Sequence, residues 1–288
     1  MTGNTIFNKE SIINLLRQAL HEDLGDGDHT SLSTIPDGHQ GVGFVRVKAD
    51  GIIAGVEVAT WVATLVDENI RCNVKISDGS KVTSGDVVME LFGKTRSLLL
   101  AERLLLNCMQ RMSGIATLTA AYVEAIRGTS CKILDTRKTT PNFRLLEKWA
   151  VKLGGGCNHR FGLFDMILIK DNHVDAAGGI KQAIDSANAY LAYAGKKLAI
   201  EIETRNLDEV KEVLTTGKVQ RIMLDNFSLE HMTKAVDLID RKFETEASGG
   251  INLSTVRDVA LTGVDFISCG ALTHSYHSLD ISMKIKST

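Results

Sequence analysis

The chain has 288 residues, 44% of them hydrophobic, and a formal net charge of −2. That length and apolar content can bury a large core in one large or two smaller domains, and the near-neutral balance argues against a general nucleic-acid or anionic-membrane binder. Five cysteines, scattered and without Cys-x-x-Cys spacing, read as reduced thiols of a cytoplasmic protein rather than as a disulfide frame or zinc site.

In chain order, residues 1–4 carry no cationic start to an apolar leader, so no export signal is expected. Residues 8–22 predict an amphipathic helix: Asn8 as N-cap, Ile12, Ile13, Leu16, Ala19 and Leu20 as the stripe, Gly25 and Gly27 as the stop. Asp26-Gly27-Asp28-His29-Thr30 reads as a solvated polar turn rather than a metal loop. Val45 and Val47 alternate with Arg46 and Lys48, as in a half-buried strand. A helix over 55–67 and short strands at 69–76, 81–83 and 87–91 complete a small α+β unit. Residues 95–127 read as a long helix broken at Ser113-Gly114. Its run at 98–106, interrupted by Glu102 and Arg103, is too short to span a bilayer. By pattern alone Arg103 is half of a charged pair on the wet face.

From residue 131 the rhythm changes. Short β-rich runs at 131–135, 165–170, 198–203, 221–225, 243–247 and 265–269 alternate with helical stretches at 141–153, 176–194, 206–216, 228–241 and 252–262. Pro141 suits a helix start and Gly154 a helix end. Strand–helix repetition implies parallel strands with right-handed crossovers, closed either as an open doubly wound sheet or as a β/α barrel of about six units, fewer than the usual eight.

The strand ends carry the chemistry. They deliver Thr136-Arg137-Lys138, then Lys170-Asp171-Asn172-His173, Glu201 and Glu203, Asp225-Asn226, Ser248-Gly249-Gly250 and Gly270-Ala271. In a barrel these ends share one bowl. Arg137, Lys138, Arg160 and Lys170 are cations for carboxylates or phosphates. Glu203 and Asp225 would be costly among them unless they meet a hard cation such as Mg2+ or sugar hydroxyls. Ser248-Gly249-Gly250 before a helix, with Gly270-Ala271 on the next strand, fits a monophosphate. A sugar phosphate bearing pyrophosphate, with a second anionic substrate, satisfies the set.

At this point the sequence resembles the quinolinate phosphoribosyltransferases. The resemblance rests on His21-Glu22-Asp23-Leu24-Gly25-Asp26-Gly27-Asp28, Ala101-Glu102-Arg103, Asp135-Thr136-Arg137-Lys138-Thr139-Thr140-Pro141, His159-Arg160, Lys170-Asp171-Asn172-His173, Glu201-Ile202-Glu203, Leu224-Asp225-Asn226, Ser248-Gly249-Gly250 and Gly270-Ala271-Leu272, in order from about residue 10 to the C-terminus. It implies an N-terminal α/β open-faced sandwich (1–112) on an incomplete β/α barrel (113–275), with the tail at 276–288 rejoining the first domain. It implies transfer from phosphoribosyl pyrophosphate to quinolinate with loss of CO2, assisted by Mg2+, in a cytoplasmic homodimer that can assemble further into a hexamer. Arg103 would come from the neighbouring subunit to surround quinolinate with Arg137, His159 and Arg160. Thr136 adjoins them in the same motif. Lys138 and Lys170 would lie between the substrates, Glu203 and Asp225 would serve ribose and metal, and Ser248, Gly249, Gly250, Gly270, Ala271 and Leu272 would hold the 5-phosphate. Strand alternation puts Glu201 and Glu203 on one face; register with the family favours Glu203. The rival readings are a nicotinate phosphoribosyltransferase, a Schiff-base aldolase using Lys170 and a non-catalytic sugar-phosphate binder.

Overall fold

The computed structural model describes residues 8–287; residues 1–4, read above for an export signal, lie outside them. In chain order the elements are α1 (Lys9–Leu24), α2 (His29–Thr34), β1 (Gln40–Val47), β2 (Gly51–Ile52), α3 (Val56–Val66), β3 (Arg71–Val74), β4 (Lys81–Val82), β5 (Val87–Lys94), α4 (Thr95–Ala125), β6 (Lys132–Leu134), α5 (Arg144–Leu153), β7 (Ile167–Ile169), α6 (Asp171–Ala177), α7 (Ile180–Ala194), β8 (Ile200–Thr204), α8 (Leu207–Thr216), β9 (Arg221–Asp225), α9 (Leu229–Ile239), β10 (Glu244–Ser248), α10 (Val256–Leu261), β11 (Phe266–Ser268), α11 (Ala271–His274) and β12 (Ile281–Ser287). They fall into two compact units. The first holds the chain up to Ala120, Thr139–Gly155 and the chain from Leu272 onward; the second holds Ala121–Lys138 and Gly156–Ala271.

The first unit is built on an antiparallel sheet in the order β12-β1-β5-β3, with β2 and β4 paired separately. Val45 and Val47 are fully buried on β1 while Arg46 between them is exposed, the alternation expected of a sheet with one wet face. The C-terminal tail adds β12 beside β1, from Gly41 opposite Ser287 to Val47 opposite Ile281. Asn8 caps α1 by accepting from the Glu10 N–H at 2.9 Å. The expected polar turn holds over Asp26–Asp28, but its last two residues, His29 and Thr30, open a short helix, α2, capped by Asp28, whose carboxylate accepts from the Ser31 N–H. A proline-free polar segment this short gives little periodicity to read.

Two further expectations are corrected here. The long helix is not broken at Ser113-Gly114; α4 runs through it. Gly114 is there for close approach. A Cβ would overlap the His277 carbonyl oxygen and stand 2.9 Å from the Tyr276 ring. The helix expected over 141–153 starts later, at Arg144, with Pro141 three residues ahead of it. That helix, α5, also belongs to the first unit rather than to the barrel-like one. Its Glu147 is buried and receives Arg111 of α4 at 2.5 Å, and its Trp149 packs on Trp61 of α3 with ring centroids 5.8 Å apart. An amphipathic helix docks where its apolar face and buried carboxylate find partners, which its position in the strand–helix rhythm does not reveal.

The second unit carries a six-stranded sheet in the order β6-β11-β10-β9-β8-β7, parallel at every pairing. The order is cyclic: from β7 onward each strand neighbours its successor, and the last, β11, returns to the first, β6. A doubly wound sheet would reverse direction about a switch point, so the connectivity is that of a barrel, opened between β6 and β7. At the β6 edge, Cys157 makes a parallel bridge to Leu134. The expected helix over 176–194 is two helices, parted at Gly178-Gly179, and the one expected over 252–262 starts only at Val256. Among the described residues no helix is long and apolar enough to cross a membrane.

Candidate active site

Because all six strands of the second unit run parallel, their C-terminal ends lie on one edge of the sheet. The residues that follow β6 form its first wall. Asp135 is fully buried. Its Oδ1 accepts from the His159 N–H at 2.9 Å and its Oδ2 from Asn158 at 2.5 Å, tying the 157–160 loop to the end of β6. Thr136 Oγ1 accepts from the Lys138 N–H at 3.0 Å, folding the segment into a turn on which Arg137 and Lys138 are exposed. Arg160 is partly buried, and Nη1 donates to the Met166 carbonyl at 3.3 Å. Burial and then the charge of Arg137 hold the Arg160 guanidinium below its usual pKa, against the opposing pull of Glu201 and Asp165. Two guanidiniums close enough to repel make a receptor for an anion that would relieve the repulsion.

Lys170 follows β7. Its N–H donates to the His173 ring at 2.9 Å, so His173 serves as a cap for α6. The Lys170 Nζ lies 3.7 Å from Glu203 Oε2 with its side chain 50% exposed. Glu203 has its pKa raised, by burial and then by the charge of Asp225, with Lys170 opposing. Asp225 accepts from its neighbour Asn226 at 2.7 Å. Two hard oxygen donors that repel one another at a strand edge suit a Mg2+ shared with a phosphate-bearing substrate, so this pair fits the ion that the resemblance implies. Glu201, the other carboxylate of β8, is fully buried with Glu246, away from Lys170, and faces His159.

The third wall is the turn after β10. The Asn226 N–H donates to the Ser248 carbonyl at 2.9 Å. Gly249 has φ +98° and Gly250 φ +63°, a left-handed pair that lets backbone N–H groups turn toward a ligand. The short α10 does not start directly after them, so these N–H groups, not a helix terminus, carry the phosphate reading. Gly270 and Ala271 follow β11 on the same edge. Of the residues expected at the site, the second unit therefore gathers Thr136, Arg137, Lys138, Arg160, Lys170, Glu203, Asp225, Ser248, Gly249, Gly250, Gly270 and Ala271. Two others belong to the first unit: Arg103, exposed on α4, and Leu272, fully buried. His159 adjoins the edge, but its side chain is only 6% exposed and turns inward.

Three residues of this neighbourhood escaped the sequence reading. Asp135 opens the Asp135–Pro141 motif, and its role there shows only once its partners are in place. Glu246 and Arg221 stand in no motif, although Glu246 shares a strand face with Ser248 and a carboxylate there is unusual in a parallel sheet. That alternation was the available signal.

Two family models match the chain in order: "Quinolinate phosphoribosyl transferase, N-terminal domain" over residues 28–113 and "Quinolinate phosphoribosyl transferase, C-terminal domain" over residues 115–284. The chain is 47% identical over 286 residues to "Quinolinate phosphoribosyltransferase [decarboxylating] 1" of Nicotiana glauca, covering 94% of this chain and 81% of that one. It is 46% identical to "Nicotinate-nucleotide pyrophosphorylase [carboxylating], chloroplastic" of Arabidopsis thaliana, covering 94% and 82%. The solved structure of NadC from Streptococcus pyogenes superposes with a TM-score of 0.92 at 42% identity over 100% of both chains. Human nicotinic acid phosphoribosyltransferase, at TM-score 0.57 and 11% identity over 99% of this chain and 74% of that one, shares the fold alone. With both halves matched in order and such relatives across nearly the whole length, the chain belongs to the quinolinate phosphoribosyl transferase family.

Proposed function

We infer that this chain is a quinolinate phosphoribosyltransferase. It transfers the phosphoribosyl group of phosphoribosyl pyrophosphate to the nitrogen of quinolinate and releases pyrophosphate and CO2, giving nicotinate mononucleotide for NAD biosynthesis. The observation that carries the reading is the convergence of Arg137, Lys138, Arg160 and Lys170 on one strand edge, beside the Glu203–Asp225 carboxylate pair. A ligand with two carboxylates meeting one with several phosphates matches that surplus of cations. Nicotinate, with a single carboxylate, uses it less completely.

Arg137 and Arg160 bind the quinolinate carboxylates, each able to form a paired contact. Lys138 and Lys170 sit at the seam between the substrates and offset the charge that develops on the departing pyrophosphate. As the ribosyl C1–oxygen bond breaks, its electron pair leaves with pyrophosphate; the quinolinate nitrogen lone pair forms the new C1–N bond. The pyridinium then accepts the electron pair released when the 2-carboxylate departs as CO2, and a solvent proton replaces it on the ring. Glu203 and Asp225 orient the ribose hydroxyls and would hold Mg2+, which when bound supplies positive charge to the pyrophosphate. Ser248, Gly249, Gly250, Gly270, Ala271 and Leu272 hold the 5-phosphate. Arg103 completes the pocket from the second subunit of a homodimer. The five free cysteines suit a reducing compartment, and the cytoplasm is the setting we propose.

The test is incubation with carboxyl-labelled quinolinate, phosphoribosyl pyrophosphate and Mg2+. The expected result is nicotinate mononucleotide by mass together with labelled CO2. Turnover of nicotinate without CO2 release, or binding of phosphoribosyl pyrophosphate without product, overturns the assignment.

A further inference from the structure

Beneath the strand-end cations lies a second layer of charge. The His159 Nε2 is 3.0 Å from Glu201 Oε2 and 3.4 Å from Glu246 Oε2, and both glutamates are fully buried. Arg221, on the strand between theirs, donates to Glu246 Oε2 at 2.9 Å, pairs with Glu244 at 2.9 Å and lies over the Phe266 ring at 4.1 Å. The other ring nitrogen of His159 is engaged too: Nδ1 accepts from the Arg160 N–H at 2.7 Å. The backbone of His159 is held in turn by Asp135.

This geometry gives the ring one orientation and one tautomer, with its proton on Nε2 between the carboxylates. Burial lowers the pKa of His159 and the carboxylates of Glu201 and Glu246 raise it, drawing a proton to Nε2. The Arg160 N–H opposes a second ring proton, which would have to displace it. A divalent cation among these three side chains would have to replace the Nε2 proton and sit beside the Arg221 guanidinium, so the layer is a charge-paired frame and not a metal site. With both nitrogens turned to the protein, His159 acts on the backbone of Arg160.

We propose that Glu201 and Glu246 are positioning residues of the anion site: they fix the His159 ring, whose Nδ1 fixes the Arg160 backbone, and so set where the Arg160 guanidinium meets a substrate carboxylate. The role at quinolinate rests on the function inferred above; the geometry does not. Neither glutamate touches substrate. Their removal loosens a guanidinium without deleting it, and misplacement by about 1 Å costs up to about 100-fold in such sites.

The test uses Glu246→Gln and Glu201→Gln, which keep the size and one acceptor. Each is expected to raise the KM for quinolinate by about 10-fold or more and to leave the KM for phosphoribosyl pyrophosphate near that of the parent. A purely structural defect would move both. Histidine 15N spectra of the unsubstituted protein should show His159 protonated at Nε2 with Nδ1 as an acceptor, a pattern lost in both variants. On the unsubstituted protein this measurement needs neither turnover nor a foldable variant. Unchanged quinolinate KM in an active, folded variant overturns the proposal. So does a His159 signal that quinolinate shifts to a ligand-bonded Nδ1, or one that Zn2+ abolishes. Absence of quinolinate turnover in the unsubstituted protein would sink the functional assignment while leaving the spectroscopic arm to judge the frame.

Discussion

The neighbouring glycines at the end of β10 offer a sharp comparison, because the same substitution should act differently at each. Both have left-handed backbones, so an alanine at either costs about 1–2 kcal/mol in local strain. At Gly250 an added Cβ meets nothing within 4 Å, and strain is the whole effect. At Gly249 the Cβ would overlap the Asn226 side chain and stand 2.9 Å from the Asn226 backbone nitrogen. Asn226 has little room to yield: its φ is +55° and its N–H is bonded to the Ser248 carbonyl. Overpacking of this kind adds about 1–3 kcal/mol. Gly249→Ala should therefore lose about 2–5 kcal/mol and Gly250→Ala about 1–2 kcal/mol. The displaced turn is the one read as the 5-phosphate holder, so Gly249→Ala should also raise the KM for phosphoribosyl pyrophosphate by about 10-fold or more, since each 1.4 kcal/mol misplaced in binding is tenfold. Urea unfolding midpoints and substrate-specific KM values check both parts. Equal stability losses in the two variants would refute the steric argument. An unaltered phosphoribosyl pyrophosphate KM in a destabilised Gly249→Ala would refute the phosphate role.

Other outcomes follow from the same site. Lys138→Ala and Lys170→Ala should each lower kcat on the order of 10²–10³ if they stabilise departing charge, as read from initial rates of nicotinate mononucleotide formation; near-parental turnover removes them from the mechanism. Burial and then the charge of Glu246 raise the Glu201 pKa from 4.5 to about 7. A carboxyl raised on folding favours the native state fully below pH 4.5, and that contribution is lost as pH rises through about 7. Glu201→Gln should flatten this slope in urea midpoints taken across that window, and an unchanged slope would refute the origin. If Arg103 serves a neighbour's site, mixing inactive Arg103→Ala and Lys138→Ala subunits should restore about a quarter of the sites by random exchange in dimers, whereas a site completed within one subunit stays inactive after mixing.

Much of the fold was legible because it is local or repetitive. The stripe from Ile12 to Leu20 and the cap at Asn8 foretell α1, and the alternation of Val45 and Val47 with Arg46 foretells which face of β1 is buried. The strand–helix rhythm after residue 131 foretells a parallel sheet. What escaped depends on partners remote in the chain. Gly114 looks like a helix breaker until the tail at 276–277 is seen against it. The segment at 141–153 looks like a barrel crossover until Glu147 and Trp149 find Arg111 and Trp61.

The active site divides in the same way. The sequence by itself determined which residues stand at the C-terminal ends of the strands, because parallel strands joined by crossovers must present those ends on one edge. It thereby assembled Arg137, Lys138, Lys170, Glu203, Asp225 and the glycine turn, and with them the class of ligand. Only the tertiary structure decided which polar groups face the ligand and which face one another. Glu201 and Glu203 share a strand face and a chemistry, yet one lies under His159 and the other beside Lys170. His159, Glu201, Arg221 and Glu246 come from four separate segments, and the distances among them are set by how neighbouring strands stack and stagger. No spacing along one segment encodes that, because burial and charge pairing between segments exist only once the sheet has formed.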